Sequence, residues 1–312
     1  MAAHHAAIPG RIRAKDVPHP GTWLAAAVVA VLAAMLVHGL VTNENFRWDL
    51  VWLYLRDVKV VAGVGYTLLL TLGAMVLGTV IALVMAIMRT SANPVLRGVS
   101  WAYIFVFRGI PVYTQLVFWG LLAVLYPTLG LGVPFGPQVV TFDTASLVTP
   151  LAAAIIGLGL NEGAYLAEII RSGLESVDSG QGEAARALGM PPGLILRRII
   201  IPQAMRVIIP PLGNETIGML KTTSLVLAVP FTLDLQYATM AIANRIYAPI
   251  PLLIVAALWY LLMTSVLMVA QHFLERHYGR GLSRPGSSRM RRQAAVNAAG
   301  TTPEDPLPEV EL

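Results

Sequence analysis

Six long apolar runs constrain the fold of this chain more than any other feature. A helix that spans a bilayer needs about 20 apolar residues, because its backbone polar groups must be paired within the segment. Only 12% of the 312 residues are charged, about half the share of a soluble domain. The sequence therefore predicts an all-α, polytopic helical membrane protein with six transmembrane helices, over residues 22–41, 63–88, 101–125, 147–170, 205–229 and 252–274.

The two ends of the chain differ from the apolar runs. The first run, 22–41, is longer than the apolar core of a signal peptide, which is about 7–15 residues, and no small-x-small cleavage site precedes Thr42. We therefore expect an additional first helix that is retained, preceded by a basic cytoplasmic tail over 1–21. Residues 276–312 lack apolar periodicity and predict a disordered cytoplasmic tail.

Lysine and arginine are concentrated in alternate loops. Sixteen lie in residues 1–21, 89–100, 171–206 and beyond 274, whereas four lie in the three intervening loops. Because cytoplasmic loops carry the excess of basic residues, we assign both termini and the loop 171–206 to the cytoplasm, with the chain in a bacterial inner membrane. The basic residues are not interleaved with aromatic side chains, so membrane lipid and not nucleic acid is the expected partner.

A short polar helix is predicted inside this cytoplasmic loop, at residues 178–190. Asp178 and Gln181 can cap its start, and Gly189 can adopt the left-handed conformation that ends a helix. Glu183 suits the positive end of the helix dipole. Three alanines keep the surface of the helix low, which is typical of a docking element.

A spaced motif runs from Glu183 to Pro202, with the pattern Glu-Ala-Ala-x3-Gly-x9-Ile-x-Ile-Pro. It resembles the coupling loop of ABC importer permeases, here residues 178–202, and differs only at Ile201, where that loop has leucine. The resemblance implies that a cytoplasmic ABC ATPase subunit docks on this loop. The residues implied in ATPase coupling are Gln181, Glu183, Ala184, Ala185 and Gly189.

Further stretches resemble the polar amino acid permease family, whose members have the type-1 ABC importer permease fold. These stretches are Phe107–Leu116, Leu160–Arg171, Pro202–Glu215 and Lys221–Leu225. The resemblance covers residues 60–275, which we expect to form the permease domain. It departs from the family pattern at Glu162, where a small polar residue is usual, and at Thr222, which replaces aspartate.

The resemblance implies the function and the partners. Members of the family pair with a second permease subunit, identical or paralogous, carry two ATPase subunits and receive a polar amino acid from an extracytoplasmic binding protein. This chain has no phosphate loop for ATP, since none of its lysines, Lys15, Lys59 and Lys221, follows a glycine. We therefore expect a transport subunit that is not an enzyme, without catalytic residues, cofactor or metal, while the partner ATPase uses ATP and Mg²⁺.

Charged residues inside the predicted spans indicate a substrate path, because a charge in the membrane is costly unless it is paired or functional. Asn161 and Tyr165 are four residues apart and share a helical face, and Asn214 and Lys221 share a face of the fifth span. The predicted path consists of Asn161, Glu162, Tyr165, Asn214, Lys221, Thr223 and Ser224.

Structural roles compete with substrate contact for several of these residues. Glu168 lies three residues before Arg171, so an ion pair at the membrane interface explains it. Lys221 has two open roles, contact with a substrate carboxylate or a structural pair with Glu162 or Glu215.

Two other functions are alternatives to amino acid import. The same architecture can import another small polar solute, such as an opine or a compatible solute. A proton-coupled secondary transporter would use Glu162 and Glu215 as a carboxylate relay and would need no ATPase. An intramembrane enzyme is not supported, because no zinc-binding His-Glu-x-x-His helix or Gly-x-Ser-x-Gly turn is present.

Overall fold

The computed structural model describes residues 20–133 and 136–278. The predictions for the two tails, 1–21 and 276–312, lie almost wholly outside these residues. The described part of the chain contains thirteen α-helices and one β-hairpin, together with 3₁₀ helices at Glu44–Phe46 and Thr223–Ala228 and a π-helical segment at Leu196–Ile200. In chain order the α-helices and strands are α1 (Pro20–Thr42), α2 (Trp48–Tyr54), α3 (Val58–Arg89), α4 (Pro94–Gly109), α5 (Val112–Gly120), α6 (Leu122–Leu125), β1 (Thr128–Gly132), β2 (Gln138–Asp143), α7 (Thr144–Leu147), α8 (Pro150–Glu175), α9 (Ser179–Ala187), α10 (Pro192–Ile195), α11 (Ile201–Thr222), α12 (Leu235–Ile246) and α13 (Pro249–Tyr278).

The six predicted spans fall on helical segments, which confirms a polytopic helical membrane protein. Helices α1, α3, α8 and α13 are each long and apolar enough to cross a bilayer. The third predicted span is not one straight helix, because α4 and α5 meet at an angle of 101°. Its cause is Pro111, which forces Ile110 into an extended conformation with φ −100° and ψ 135°.

The fifth predicted span corresponds to α11, which is more polar than the other spans because it carries Arg206, Glu215 and Lys221. The helix continues through Pro210 and Pro211. It then tightens into a 3₁₀ helix at Thr223–Ala228. The predicted span 205–229 is thus part α-helix and part 3₁₀ helix.

Helices α3 and α8 form the centre of the bundle and pack closely through small residues. A Cβ added at Gly159 of α8 would lie 2.8 Å from Leu77 Cδ2, and one added at Gly78 of α3 would lie 3.1 Å from Glu162 Cβ. Helices in membranes associate through such small residues, because they let the backbones approach. Glu162 is therefore held directly against α3.

Two elements extend from this bundle. Helix α1 is exposed at residues 21–39 and half-buried at Leu40, whose carbonyl accepts from Trp48 Nε1 at 2.8 Å. Strands β1 and β2 form an antiparallel hairpin that pairs Leu129 with Phe142 and Leu131 with Val140. The sequence did not predict these strands.

Candidate functional site

A polar cavity of about 450 Å³ lies where the break between α4 and α5 faces α8 and α11. Five of the residues that line it come from the break itself, three from α8 and four from α11. They are Arg108, Gly109, Ile110, Pro111, Val112, Asn161, Glu162, Tyr165, Glu215, Gly218, Met219 and Thr222.

Side-chain amides donate hydrogen bonds to the backbone carbonyls that the break leaves without helical partners. In a continuous helix the carbonyl of Phe107 would accept from residue 111, but Pro111 has no N–H. Gln115 Nε2 donates to that carbonyl at 2.9 Å, and to the Ile110 carbonyl at 2.8 Å. Asn161 Nδ2 of α8 also donates to the Phe107 carbonyl, at 2.9 Å. The predicted path residue Asn161 thus fixes the cavity wall.

Glu162 is the most unusual group in the cavity. Its side chain is only 4% exposed, and its Oε1 atom accepts no hydrogen bond from the residues that the structure describes. A buried carboxylate without a partner is costly, so its presence needs an explanation such as a functional role or an ion or water that completes the site. Glu215 lines the same cavity, so two carboxylates face one space.

Arg108 and Tyr165 separate this cavity from a second one. The Arg108 guanidinium lies over the Tyr165 ring, 5.1 Å from its centroid. The second cavity, of about 480 Å³, shares Arg108, Gly109 and Tyr165 with the first, and its other lining residues are Arg89, Trp101, Ile104, Phe105 and Glu168. The cation–π contact therefore lies between the two cavities.

The ion-pair hypothesis for Glu168 is confirmed. Arg171 Nη2 lies 2.8 Å from Glu168 Oε2, and Arg171 Nη1 lies 2.7 Å from Glu175 Oε2. These three residues form a ladder along the last turns of α8. Glu168 therefore differs from Glu162 in having a compensating charge.

The face of α11 that lines the cavity differs from the face that the sequence predicts. Residues 215, 218, 219 and 222 face the cavity, at the i, i+3, i+4, i+7 spacing of one helical stripe. Asn214 instead turns toward α13, where its Oδ1 accepts from Gln271 Nε2 at 2.9 Å. Lys221 is exposed outside the cavity, and no carboxylate lies within 4.0 Å of it among the described residues.

Thr223 and Ser224 also lie outside the cavity lining, in the 3₁₀ helix. Their hydroxyls donate to the carbonyls of Leu220 and Lys221, at 2.6 and 2.7 Å. Of the predicted path, the structure brings together Asn161, Glu162 and Tyr165. It adds three residues that the predicted path omitted, Arg108, Glu215 and Thr222. Two of these are charged residues within spans, and their charge was the signal for them in the sequence.

The predicted docking helix is present as α9. Asp178 Oδ1 accepts from Gly180 N at 2.7 Å and caps its start, whereas Gln181 contributes only its backbone N–H, to the Asp178 carbonyl. Gly189 has a φ of +78°. Its N–H and that of Met190 donate to the second-last and third-last helical carbonyls, which is the Schellman termination.

The surface of α9 combines charge with one apolar side chain. Glu183 and Ala184 are exposed, and Ala185 packs inward with 3% exposure. Leu188, which follows the helix, is 83% exposed. The sequence motif did not single out this leucine.

These features define a class of protein. Spanning helices that enclose a charged, partly uncompensated cavity, with a rigid capped helix in the loop that follows α8, are the parts that a transport permease requires. The chain matches the family model described as binding-protein-dependent transport system inner membrane component over residues 78–280, and it belongs to that family.

Relatives agree with this assignment. The chain is 47% identical over 296 residues, 95% of its own length and 92% of the relative's, to the arginine transport system permease protein ArgU of Corynebacterium glutamicum. It is 35% identical to the probable amino-acid ABC transporter permease protein YckA of Bacillus subtilis, over 73% of this chain and 96% of that one.

A solved structure is similar as well. It is a crystal structure of an amino acid ABC transporter with histidines, 34% identical to this chain, with a TM-score of 0.58. The similarity covers 70% of this chain and 94% of that one.

Proposed function

We propose that this chain is the permease subunit of an ATP-driven importer and that its substrate is a cationic amino acid, with arginine as the first candidate. The observation that carries the substrate class is the charge balance of the cavity. Glu162 and Glu215 place two carboxylates around a space that contains one guanidinium, that of Arg108.

The balance matches the charges of arginine at neutral pH. An amino acid presents an α-carboxylate and an α-ammonium, and a cationic amino acid adds a second positive charge. Arg108 suits the α-carboxylate, because a guanidinium binds a carboxylate with two parallel hydrogen bonds. The two glutamates suit the two positive groups. A volume of about 450 Å³ lies in the range of small-molecule sites.

The comparisons support this substrate class. The relative that is 47% identical is named for arginine transport, and the similar solved structure contains histidines. Relatives named for nopaline and octopine transport are 33% and 35% identical, and opines are the second candidate. An opine carries additional carboxylates, which would face the two glutamates unfavourably.

The remaining parts of the proposal concern partners and orientation. We assign α9 as the docking element for a cytoplasmic ABC ATPase, with Gln181, Glu183, Ala184, Ala185 and Gly189 as coupling residues. ATP and Mg²⁺ belong to that ATPase. A second permease subunit and an extracytoplasmic binding protein complete the assembly. The excess of basic residues in alternate loops supports a bacterial membrane location with both termini in the cytoplasm.

Uptake by the reconstituted assembly tests the proposal. Proteoliposomes that contain the permease, its ATPase and its binding protein should take up labelled arginine only with ATP. Lysine and histidine should compete, and glutamine should not. Competition by an opine but not by lysine would show that the substrate is an opine and not a cationic amino acid. Uptake driven by a proton gradient without ATP would support the secondary transporter instead.

A further inference from the structure

The β-hairpin has two chemically different faces. Its register places Leu129 opposite Phe142 and Leu131 opposite Val140, so these four apolar side chains share one face. The opposite face pairs Thr128 with Asp143 and Gly130 with Thr141. The paired positions of the hairpin are therefore amphipathic, and Val139, which is 78% exposed, lies unpaired at an irregularity beside Leu131 and Gly132.

The described part of the chain leaves most of the apolar face exposed, and of its four residues only Leu129 is half-buried. Leu131 is 67% exposed, and Val140 and Phe142 are also exposed. A two-stranded hairpin is marginal in water unless one face packs against something. The hairpin nevertheless has a fixed base, where Thr144 N donates to the Pro127 carbonyl at 3.0 Å and Asp143 Oδ2 accepts from Ser146 N at 2.8 Å.

The composition of the hairpin narrows the choice of partner. From Tyr126 through Phe142 the sequence contains no Lys, Arg, Asp or Glu. A surface that bound a soluble protein would be expected to offer charges for orientation at its rim. The polar side chains of this segment, those of Thr128, Gln138 and Thr141, are uncharged, and Asp143 follows at its end. An uncharged and mainly apolar segment suits a hydrocarbon surface.

Exposed apolar side chains also precede the hairpin in the chain. Helix α6, immediately before the hairpin, exposes Val124 and Leu125, and Tyr126 follows them with its ring exposed. Amphipathic aromatic rings of this kind lie at the membrane interface. The hairpin leads through α7 to the start of α8, at the opposite end of that helix from α9.

We propose that the hairpin binds the membrane surface. Its apolar face, formed by Leu129, Leu131, Val140 and Phe142, lies in the lipid leaflet at the end of the bundle opposite α9. In the proposed orientation this is the outer leaflet. The partner is the acyl-chain and headgroup boundary of the bilayer, into which apolar faces sink by about 5–10 Å. The proposal rests on the membrane class of the chain and is independent of the substrate.

Spin labels can test this directly, because the chain contains no cysteine. Phe142→Cys and Thr141→Cys are adjacent positions on opposite faces and form a matched pair. Leu131→Cys is a second reporter on the apolar face. Each purified full-length variant is labelled with a nitroxide and placed in lipid nanodiscs. Collision with oxygen reports lipid, and collision with a soluble nickel chelate reports water.

The proposal expects that labels at 142 and 131 collide severalfold less with the nickel chelate than the label at 141, and more with oxygen. Equal nickel access at all three positions would overturn it, because the hairpin would then stand in water. Exclusion of both reagents from 131 and 142, with dipolar broadening between labels, would assign the face to a second copy of the chain. Protection that appears only after the binding protein is added would assign it to that protein.

Discussion

The sharpest test of the proposed cavity is Glu162→Gln, which removes one negative charge and keeps the size of the side chain. A charge-assisted hydrogen bond contributes about 1.5–3 kcal/mol and a neutral one about 0.5–1.5 kcal/mol, so the substitution should lose about 1.5 kcal/mol of substrate binding. That loss corresponds to about a tenfold rise in the apparent KM for arginine.

The same substitution should not destabilise the fold. Glu162 Oε1 accepts no hydrogen bond from any residue that the structure describes, so glutamine leaves no internal partner unpaired. It also removes the cost of holding a charge in a buried position. We therefore expect the melting temperature to stay constant or to rise, while transport becomes weaker. A structural ion pair predicts the reverse combination.

Two measurements in parallel decide between these roles. Uptake kinetics in proteoliposomes give the KM and the preference among amino acids, and thermal melting of the purified protein gives stability. Lys221→Gln is the matched control, since it neutralises a charge one helical position outside the cavity stripe and should leave the KM unchanged. If Glu162→Gln lowers melting temperature and abundance but leaves KM and preference untouched, the substrate role must be abandoned.

Further predictions concern coupling, the broken helix, packing and topology. Gly189→Val forces a β-branched residue to a φ of +78°, at a cost of about 1–2 kcal/mol, and should abolish ATPase stimulation at normal expression; parental stimulation would contradict the docking role of α9. Asn161→Leu removes one of two donors to the Phe107 carbonyl and should lower stability by about 0.5–1.5 kcal/mol in thermal melting; an unchanged melt would mean that Gln115 alone holds the break. Gly173→Ala places a methyl against Ile208 of α11 and should cost about 1–3 kcal/mol by overpacking, a result that an unaltered melting temperature would refute. A cysteine at Thr141 should react with a membrane-impermeant thiol reagent in intact cells, whereas one at Ser288 should not; the opposite pattern would invert the topology.

The sequence was sufficient for α9 because every device that shapes this helix is local. A capping aspartate, an alanine-rich body and a glycine in the left-handed conformation lie within twelve residues of one another. Local signals of this kind do not depend on where the rest of the chain packs. Of the two predicted capping residues, Asp178 supplies the side-chain acceptor, whereas Gln181 bonds at that end through its backbone N–H.

The rotation of α11 illustrates what the sequence does not contain. Helical spacing tells which residues share a face, but neighbouring helices decide which face turns inward. On α13, far along the chain, Gln271 donates a hydrogen bond to Asn214 Oδ1. In the structure Asn214 and Lys221 lie away from the cavity, whereas Glu215 and Thr222 line it. A difference of one residue, about 100° on a helix, separates the two stripes.

The sequence contains one signal for the break in the third span. Proline within an apolar run predicts a helix boundary, but the sequence does not give the bend of 101° or the donors that stabilise it. Asn161 comes from another helix, 54 positions away. A side chain that looks like a substrate contact by its polarity therefore also serves as a structural tie.

Helix α8 connects the two sites that an importer must couple. The cavity residue Glu162 and the ladder residue Glu175 are thirteen positions apart, which is about 20 Å along an α-helix. The ladder around Arg171 stiffens the far end, and only residues 176–178 separate it from α9. Beside Glu162, in the middle of α8, Asn161 joins this helix to the break between α4 and α5. We therefore expect a displacement of α9 to carry the carboxylate and the broken helix together, so that a single rigid element changes two walls of the cavity at once.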